Sequence, residues 1–225
     1  MNSIDENIKL QAGEAALLNV LMYLNIEDVK VEDEWSMRRI VNKLGTIYDP
    51  ESPNGYQEYL NKRNKKGTKK DKEDYEDRQR QYQILKNACD NKKNEHFANL
   101  RIGNQSRFMD DFSYDRGGLN ACTFTDKEGN VHVVYRGTGP GEWIDNGIAL
   151  SGLVIESEQQ KEAARYFDHI VEKNNYDKKD IEILISGHSK GGNKAQYATI
   201  NSKHRELIDK CFNFDGQGMS PEAIE

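Results

Sequence analysis

The chain has 225 residues, with 32 Lys and Arg against 38 Asp and Glu, which gives a formal net charge of −6. This length suits one domain, or one domain with a large insertion, and is enough to bury a sizeable core. No apolar run approaches the ~18 residues needed to cross a bilayer. The start carries Asp5 and Glu6 where a secretory signal peptide would be basic. The sequence therefore predicts a protein that is cytoplasmic, or that is secreted without a Sec signal peptide.

The three cysteines, Cys89, Cys122 and Cys211, are widely spaced and odd in number. This spacing argues against a zinc ribbon or a disulfide framework, and we expect reduced thiols. The sequence has no HExxH motif and no Cys/His pair at ligand spacing, so it predicts no metal and no cofactor.

The first half of the chain differs in composition from the second. Residues 1–48 place apolar side chains at helical spacing. Residues 49–106 open with the turn signal Asp49-Pro50 and continue as a charged stretch with sparse apolar residues. We therefore divide the chain into a helical N-terminal region, 1–118, which contains this charged insertion, and an α/β core, 119–225.

The charged insertion contains a basic run, residues 61–72, with seven basic residues and one acid. Such a run is conceivable as a patch for nucleic acid or for an anionic membrane. No aromatic residue is interleaved in it, which favours a solvated loop and no nucleic-acid binding. Two expectations stay open: a peripheral membrane contact, and a surface over residues 61–80 that docks an anionic partner.

From about Leu119 onward, short apolar runs alternate with one amphipathic stretch. The predicted elements, in chain order, are strands over Ala121–Thr125 and Val131–Tyr135, a helix over 157–174, a strand over 181–185, a helix from 191 to about 203, and a strand over 211–214. The first two strands flank a hairpin-like turn. This alternation predicts an α/β sheet covered by helices.

The predicted strand 181–185 leads into Gly187-x-Ser189-x-Gly191, which is the pattern of a nucleophile elbow. Glycines are needed there because side chains would collide in so tight a turn between strand and helix. The serine Oγ then points out of the top of the sheet, and the N–H groups of the following helix favour a developing negative charge. The alternative is a glycine-rich turn whose serine only caps the helix. We interpret Ser189 as a catalytic nucleophile.

A second motif, Tyr135-Arg136-Gly137-Thr138, ends the predicted strand before it. With both motifs, the chain resembles the lipase class 3 type of α/β-hydrolase over roughly residues 119–218. The turn Phe-Asp-Gly-Gln-Gly at 214–218 is similar to that of a bacterial lipase-like branch, some members of which are exported effectors. The resemblance implies an α/β-hydrolase fold. It also implies a serine ester hydrolase, of lipase or phospholipase type, acting on lipid or phospholipid acyl esters.

The resemblance also implies roles for individual residues. Thr138 and the backbone N–H of Lys190 would form the oxyanion hole, and Trp143 and Ile144 would belong to a lid over the substrate pocket. Lys190 departs from the family pattern, which has an apolar residue after the nucleophile.

The catalytic base is the missing part of this interpretation. A serine nucleophile needs a histidine within hydrogen-bonding reach, and none of the five histidines has a suitable position in the predicted elements; His96 is only the least excluded. Because 36 residues follow Ser189, we expect the C-terminal part of the fold to be missing and this chain to be the N-terminal part of a longer hydrolase.

Two alternatives remain open at this stage. Asp215 follows the last predicted strand, and it is either a catalytic acid or a residue that holds the local turn, with the turn role favoured. The chain itself is either an enzyme or a catalytically incomplete lipase-like module that binds a ligand or a protein partner, whose identity the sequence does not predict.

Overall fold

The computed structural model describes residues 3–112, 119–137 and 157–218, with side chains from residue 11 onward. The helices in these residues are α1 (Ser3–Met22), α2 (Met37–Tyr48), α3 (Gly55–Lys62), α4 (Lys69–Asp90), α5 (Glu95–Asn99), α6 (Glu158–Asn174) and α7 (Lys190–Asn201). The strands are β1 (Arg101–Gly103), β2 (Ala121–Thr125), β3 (Val131–Tyr135), β4 (Ile183–His188) and β5 (Lys210–Phe214). None of the described helices is both long and apolar enough to span a membrane.

The five strands form one mixed sheet, in which their spatial order is the same as their order along the chain. β1, β2 and β3 are antiparallel neighbours, whereas β3, β4 and β5 run parallel. In the parallel part, Tyr135 lies opposite Gly187, and His188 lies opposite Phe214. The carboxyl ends of β3, β4 and β5 therefore meet at one edge of the sheet, which we call the upper edge. The α/β class predicted from the sequence is confirmed.

Helices cover both faces of the sheet because side chains alternate between the faces of each strand. On one face, the N-terminal helices share a hydrophobic cluster with Cys122, Phe124 and Val134. On the other face, α6 and α7 pack over Val133 and Ile185. The result is a three-layer arrangement in which the N-terminal helices contribute to the same core as the sheet.

The predicted elements after residue 119 are confirmed, with ends that differ by one or two residues in most cases. Strand β1 and the short helices α3 and α5 were not predicted. Strand β1 lies inside the stretch 49–106, which the sequence indicated to be a charged insertion, and it pairs with β2. The proposed boundary between residues 118 and 119 borders residues 113–118, which lie outside the described part of the chain, and it stays a prediction.

The basic run covers the end of α3, the connection to α4 and the first turn of α4, and three of its seven basic residues form ion pairs. Lys65 lies 3.2 Å from Asp71, Arg63 lies 3.7 Å from Asp28, and Lys69 lies 3.8 Å from Glu73. The pair of Lys69 and Glu73 is exposed and contributes little to stability, whereas Asp71 and Asp28 are largely buried. The ion pairs reduce the net positive charge that this surface offers to an anionic partner.

All three cysteines are free. Cys89 and Cys122 are buried, and burial raises the pKa of both thiols. They serve as core side chains, in agreement with the expectation of reduced thiols.

Candidate functional site

Ser189 lies between the end of β4 and the first residue of α7, at the upper edge of the sheet. Its backbone has φ 55° and ψ −126°. A residue with a Cβ rarely adopts a positive φ, and this combination with an extended ψ is normally reserved for glycine. Such strain persists only when the surrounding structure fixes it, and it is a known property of nucleophilic serines in strand-to-helix turns.

The two glycines of the motif are required by close contacts between backbone segments. A Cβ on Gly187 would lie 2.1 Å from the carbonyl carbon of Gly191. A Cβ on Gly191 would lie 2.2 Å from the carbonyl oxygen of Tyr135. Both distances are shorter than any real contact of a Cβ atom, so only glycine fits. The steric reason inferred from the sequence for these two positions is confirmed.

The ends of β3 and β5 hold the turn from either side. The backbone N–H of Ser189 donates to the carbonyl of Phe214 over 2.8 Å. On the other side, a Cβ on Gly137 would lie 2.7 Å from the carbonyl oxygen of His188. Gly137 is the last described residue before Thr138. Thr138, Trp143 and Ile144, which the resemblance assigns to the oxyanion hole and the lid, lie outside the described residues.

The polar start of α7 is buried. Lys190, Asn193 and Lys194 are 2%, 3% and 0% exposed. The Nζ of Lys194 donates to the carbonyl of Arg136 over 3.4 Å, which links α7 to the end of β3. Lys190 is the first residue of α7, where backbone N–H groups have no acceptor within the helix itself.

Asn193 joins three parts of the site. Its Oδ1 accepts a hydrogen bond from Gln160 of α6 over 3.0 Å. Its Nδ2 donates to the carbonyls of Gln217 and Gly218, both at 3.1 Å. The side chain therefore ties the helix after Ser189 to the segment after β5, a role that its place in the sequence did not indicate.

Asp215 also lies at the upper edge, immediately after β5. Its φ is 51°, in the left-handed region, and its side chain is exposed. The turn is held by its neighbour Asn213, whose Oδ1 accepts from the backbone N–H of Gly216 over 2.8 Å. Within the described residues, the Asp215 carboxylate makes no hydrogen bond. Its role as catalytic acid or as turn residue stays a prediction.

His188 and His132 each have a partner other than Ser189. The Nδ1 of His188 lies 2.8 Å from the hydroxyl of Tyr23, in the segment after α1. The Nε2 of His132 lies 2.9 Å from the Oγ of Ser186, and burial lowers the pKa of His132 to about 3. In the described part of the chain, no histidine nitrogen lies within hydrogen-bonding distance of the Ser189 hydroxyl.

The other three histidines are farther from the elbow. His169 lies on α6, where its ring contacts Phe112, and His204 follows α7 and faces Glu172. His96 lies between Glu14 and Asp126. Because Asp126 follows β2 at the start of the hairpin turn, His96 is at the lower edge of the sheet, about 16 Å from the upper edge along a five-residue strand. The structure therefore places His96, the histidine that the sequence left least excluded, away from the edge that carries Ser189.

Tyr23 is a second residue near the site whose role the sequence did not indicate. Besides its contact with His188, its hydroxyl lies 2.3 Å from the position that a Cβ on Gly137 would take. It therefore packs between the ends of β3 and β4. Nothing in the local sequence marks Tyr23, because His188 and Gly137 are both more than 100 residues away along the chain.

Residues 91–225 match the Mbeg1-like family, which is 135 of the 225 residues. The chain belongs to this family. The Mbeg1-like match contains all five strands of the sheet together with α5, α6 and α7, and it begins directly after the end of α4. The comparisons with curated proteins and with solved structures gave no match.

Proposed function

We propose that this member of the Mbeg1-like family is a serine hydrolase that cleaves carboxylic esters, with Ser189 as its nucleophile. The observation that supports it is the strained backbone of Ser189, φ 55° and ψ −126°, between a strand and a helix. Two glycines that tolerate no side chain enclose this conformation. A serine that only caps a helix has an ordinary extended backbone, as Ser157 has at φ −80° and ψ 152° before α6.

We also propose that the mixed sheet is the core of an α/β-hydrolase fold. In favour of this, the nucleophile follows a strand with a parallel neighbour on each side, and helices cover both faces. Ligands of open α/β sheets bind outside the carboxyl ends of the strands, which is where Ser189 lies.

The reaction would use the groups at this edge. The Oγ of Ser189 attacks the ester carbonyl, and the backbone N–H of Lys190 donates to the resulting oxyanion together with Thr138. A general base takes the hydroxyl proton of Ser189 and passes it to the departing alkoxide, which leaves as the alcohol; water then hydrolyses the acyl-enzyme, and a proton returns to the Oγ of Ser189. The substrate class is a lipid or phospholipid acyl ester, and Trp143 and Ile144 would cover its acyl chain.

The general base is assigned to none of the five histidines in their observed positions. His188 is adjacent to Ser189 in the chain, but its Nδ1 faces Tyr23. Asp215 is the carboxylate at the same edge, one residue beyond the partner of His188 in β5. We therefore propose Asp215 as the catalytic acid, the carboxylate that would orient the general base.

The test is covalent labelling with a fluorophosphonate probe, read by mass spectrometry, together with hydrolysis of short-chain and long-chain p-nitrophenyl esters. We expect one label per chain, and loss of both label and hydrolysis in Ser189→Ala. Ser52→Ala, at a partly exposed serine whose hydroxyl donates to the carbonyl of Thr46, is the matched control and should label as the wild type does. Label or hydrolysis retained in Ser189→Ala would contradict the proposal.

The second candidate function is a lipase-like binding module. The observation that favours it is that no described histidine reaches Ser189. A folded wild-type chain that neither labels nor hydrolyses, but that co-sediments with phosphatidylcholine or phosphatidylglycerol vesicles, would support this function in place of catalysis.

A further inference from the structure

A second cluster of reactive side chains lies at the lower edge of the sheet, at the opposite end of β3 from Ser189. It consists of His96, which belongs to α5, and Asp126 and Glu128, which belong to the hairpin turn between β2 and β3. One donor atom from each of the three lies within 4.8 Å of the other two. The cluster brings together residues from two distant parts of the chain, which is why no ligand spacing is visible in the sequence.

We propose that His96, Asp126 and Glu128 bind a divalent transition-metal ion of the Zn²⁺ type. The Nε2 of His96 lies 3.4 Å from an oxygen of Asp126. Ligand atoms at about 2.0–2.1 Å around a tetrahedral ion are separated from one another by about 3.3 Å. The histidine and the aspartate therefore already have the separation of two neighbouring ligands.

Glu14 of α1 contacts the ring nitrogen of His96 that faces away from Asp126. Its carboxylate lies 3.0 Å from the Nδ1 of His96. A metal-binding histidine almost always donates its second ring N–H to a carboxylate or carbonyl, which fixes the ring and leaves the other nitrogen for the metal. The contact with Glu14 gives His96 this arrangement, with Nε2 directed at Asp126.

Asp126 is held in a comparable way. One of its oxygens accepts from the backbone N–H of Asn130 and the other from the Nδ2 of Asn130, both over 2.9 Å. Burial raises the pKa of Asp126, but the hydrogen bonds from Asn130 and His96 outweigh this effect and lower it overall. Glu128 is more exposed, and its present partner is the flexible Lys127 side chain, 3.3 Å away.

A cleft of about 600 Å³ lies beside the cluster, and His96, Asp126 and Glu14 form part of its wall. Its volume is typical of small-molecule sites, and most of its lining is apolar. His132 also lines the cleft; it is 4% exposed, and its Nδ1 has no hydrogen-bond partner.

The donor set selects the class of ion. One imidazole and two carboxylates suit Zn²⁺ and similar ions, whereas Ca²⁺ and Mg²⁺ prefer oxygen ligands alone. Three protein ligands would leave a fourth position on the ion for water or a bound molecule, and the cleft provides space for it. This site is separate from Ser189, and the proposal does not depend on esterase activity.

The test is titration of the untagged, EDTA-treated chain with Zn²⁺ against a chromophoric chelator, and with Co²⁺ followed by visible absorption. We expect one saturable site per chain, with no competition from millimolar Ca²⁺ or Mg²⁺. His96→Asn and Asp126→Asn should each weaken Zn²⁺ binding at least 100-fold, and Glu14→Gln about 10- to 100-fold.

Two further variants keep the outcome decisive. His204→Asn is the matched control, because His204 also faces a carboxylate, Glu172 at 3.5 Å, but has no such cluster around it; it should bind Zn²⁺ as the wild type does. Glu128→Gln changes a half-exposed side chain, so it provides the test if another variant fails to fold. No saturable Zn²⁺ binding by the wild type, or wild-type affinity in His96→Asn or Glu128→Gln, would overturn the proposal.

Discussion

The hydroxyl of Tyr23 lies 2.8 Å from the Nδ1 of His188, the residue that precedes Ser189. Their rings meet edge to face, with centroids 5.4 Å apart. The first 23 residues therefore contribute directly to the upper edge of the sheet. The charged region between α3 and α4 intervenes in the sequence, but the N-terminal helices and the elbow belong to one packed structure.

We expect Tyr23→Phe to lower the free energy of unfolding by about 1 kcal/mol, because it removes one hydrogen bond and leaves the ring in place. The measurement is urea unfolding followed by circular dichroism. Tyr56→Phe is the control, since the Tyr56 hydroxyl makes no hydrogen bond within the described residues. Equal stability of the Tyr23→Phe chain and the wild type would show that the contact with His188 contributes nothing.

The glycines of the elbow give a sharper prediction. Gly187→Ala and Gly191→Ala should each lower the free energy of unfolding by about 3 kcal/mol or more, because the new Cβ would overlap rigid backbone atoms. Gly13→Ala is the matched control: Gly13 lies in α1 with no atom within 4 Å of the added Cβ. It should raise the free energy of unfolding by up to about 1 kcal/mol. Equal effects of all three in urea unfolding would contradict the observed packing.

His132 predicts a loss of stability in acid. Its pKa is about 3 in the fold, because burial disfavours the charged ring, and about 6.5 in an unfolded chain. Between these values the unfolded state binds a proton that the folded state does not, so stability falls as the pH falls. The titration of His132 alone should lower the free energy of unfolding by about 1.4 kcal/mol for each pH unit below pH ~6.

The measurement is urea unfolding at pH 7, 6, 5 and 4 for the wild type and for His132→Gln. The variant should lose less stability over this range. His96 acts with the opposite sign. Burial alone would lower the pKa of His96, but Glu14 and Asp126 outweigh burial and raise it, so its contribution is present in acid and is lost as the pH rises through its folded pKa. His96→Asn is therefore a control for the sign of the effect, because it should change the pH dependence of stability in the opposite direction to His132→Gln. If the stability of His132→Gln fell with pH in parallel with that of the wild type, His132 would not be the cause of the loss in acid.

The start of α4 carries a reciprocal cap. The Oγ1 of Thr68 accepts from the N–H of Asp71 over 3.2 Å, and the Asp71 carboxylate accepts from the N–H of Thr68 over 2.9 Å. Thr68→Ala should therefore cost about 1 kcal/mol in thermal or urea unfolding. Thr68→Ser keeps the hydroxyl and should retain most of the stability. A Thr68→Ser variant as unstable as Thr68→Ala would show that the hydroxyl is not what matters.

The sequence predicted the elements whose signals are local. The hairpin of β2 and β3 has β-branched and aromatic residues on both sides of a turn that contains Gly129 at φ 93°. The elbow could be recognised in the sequence because Gly187 and Gly191 are required by contacts with each other and with the adjacent strand. In both cases the residues that form the structure are themselves the pattern.

The features that were not predicted depend on contacts between distant residues. β1 is only three residues long and exists by pairing with β2. His96 owes its place to Glu14, 82 residues earlier in the chain. The burial of Lys190 and Lys194 contradicts what their charge indicates, since lysine is almost never fully buried unless paired. Their surroundings are set by the ends of neighbouring strands, and no local pattern contains that information.

The agreement between strand order and chain order has a consequence for synthesis. Each strand pairs with the one made just before it, so the sheet can grow by addition at one side as the chain leaves the ribosome, and no strand has to be inserted between two others. α1 differs from the strands, because it precedes all five of them in the chain and contacts β3, β4 and β5 as well as α4. The part of α1 that packs on the sheet therefore stays uncovered until these three strands have been translated, and apolar surface that is exposed in this way makes a nascent chain prone to aggregation.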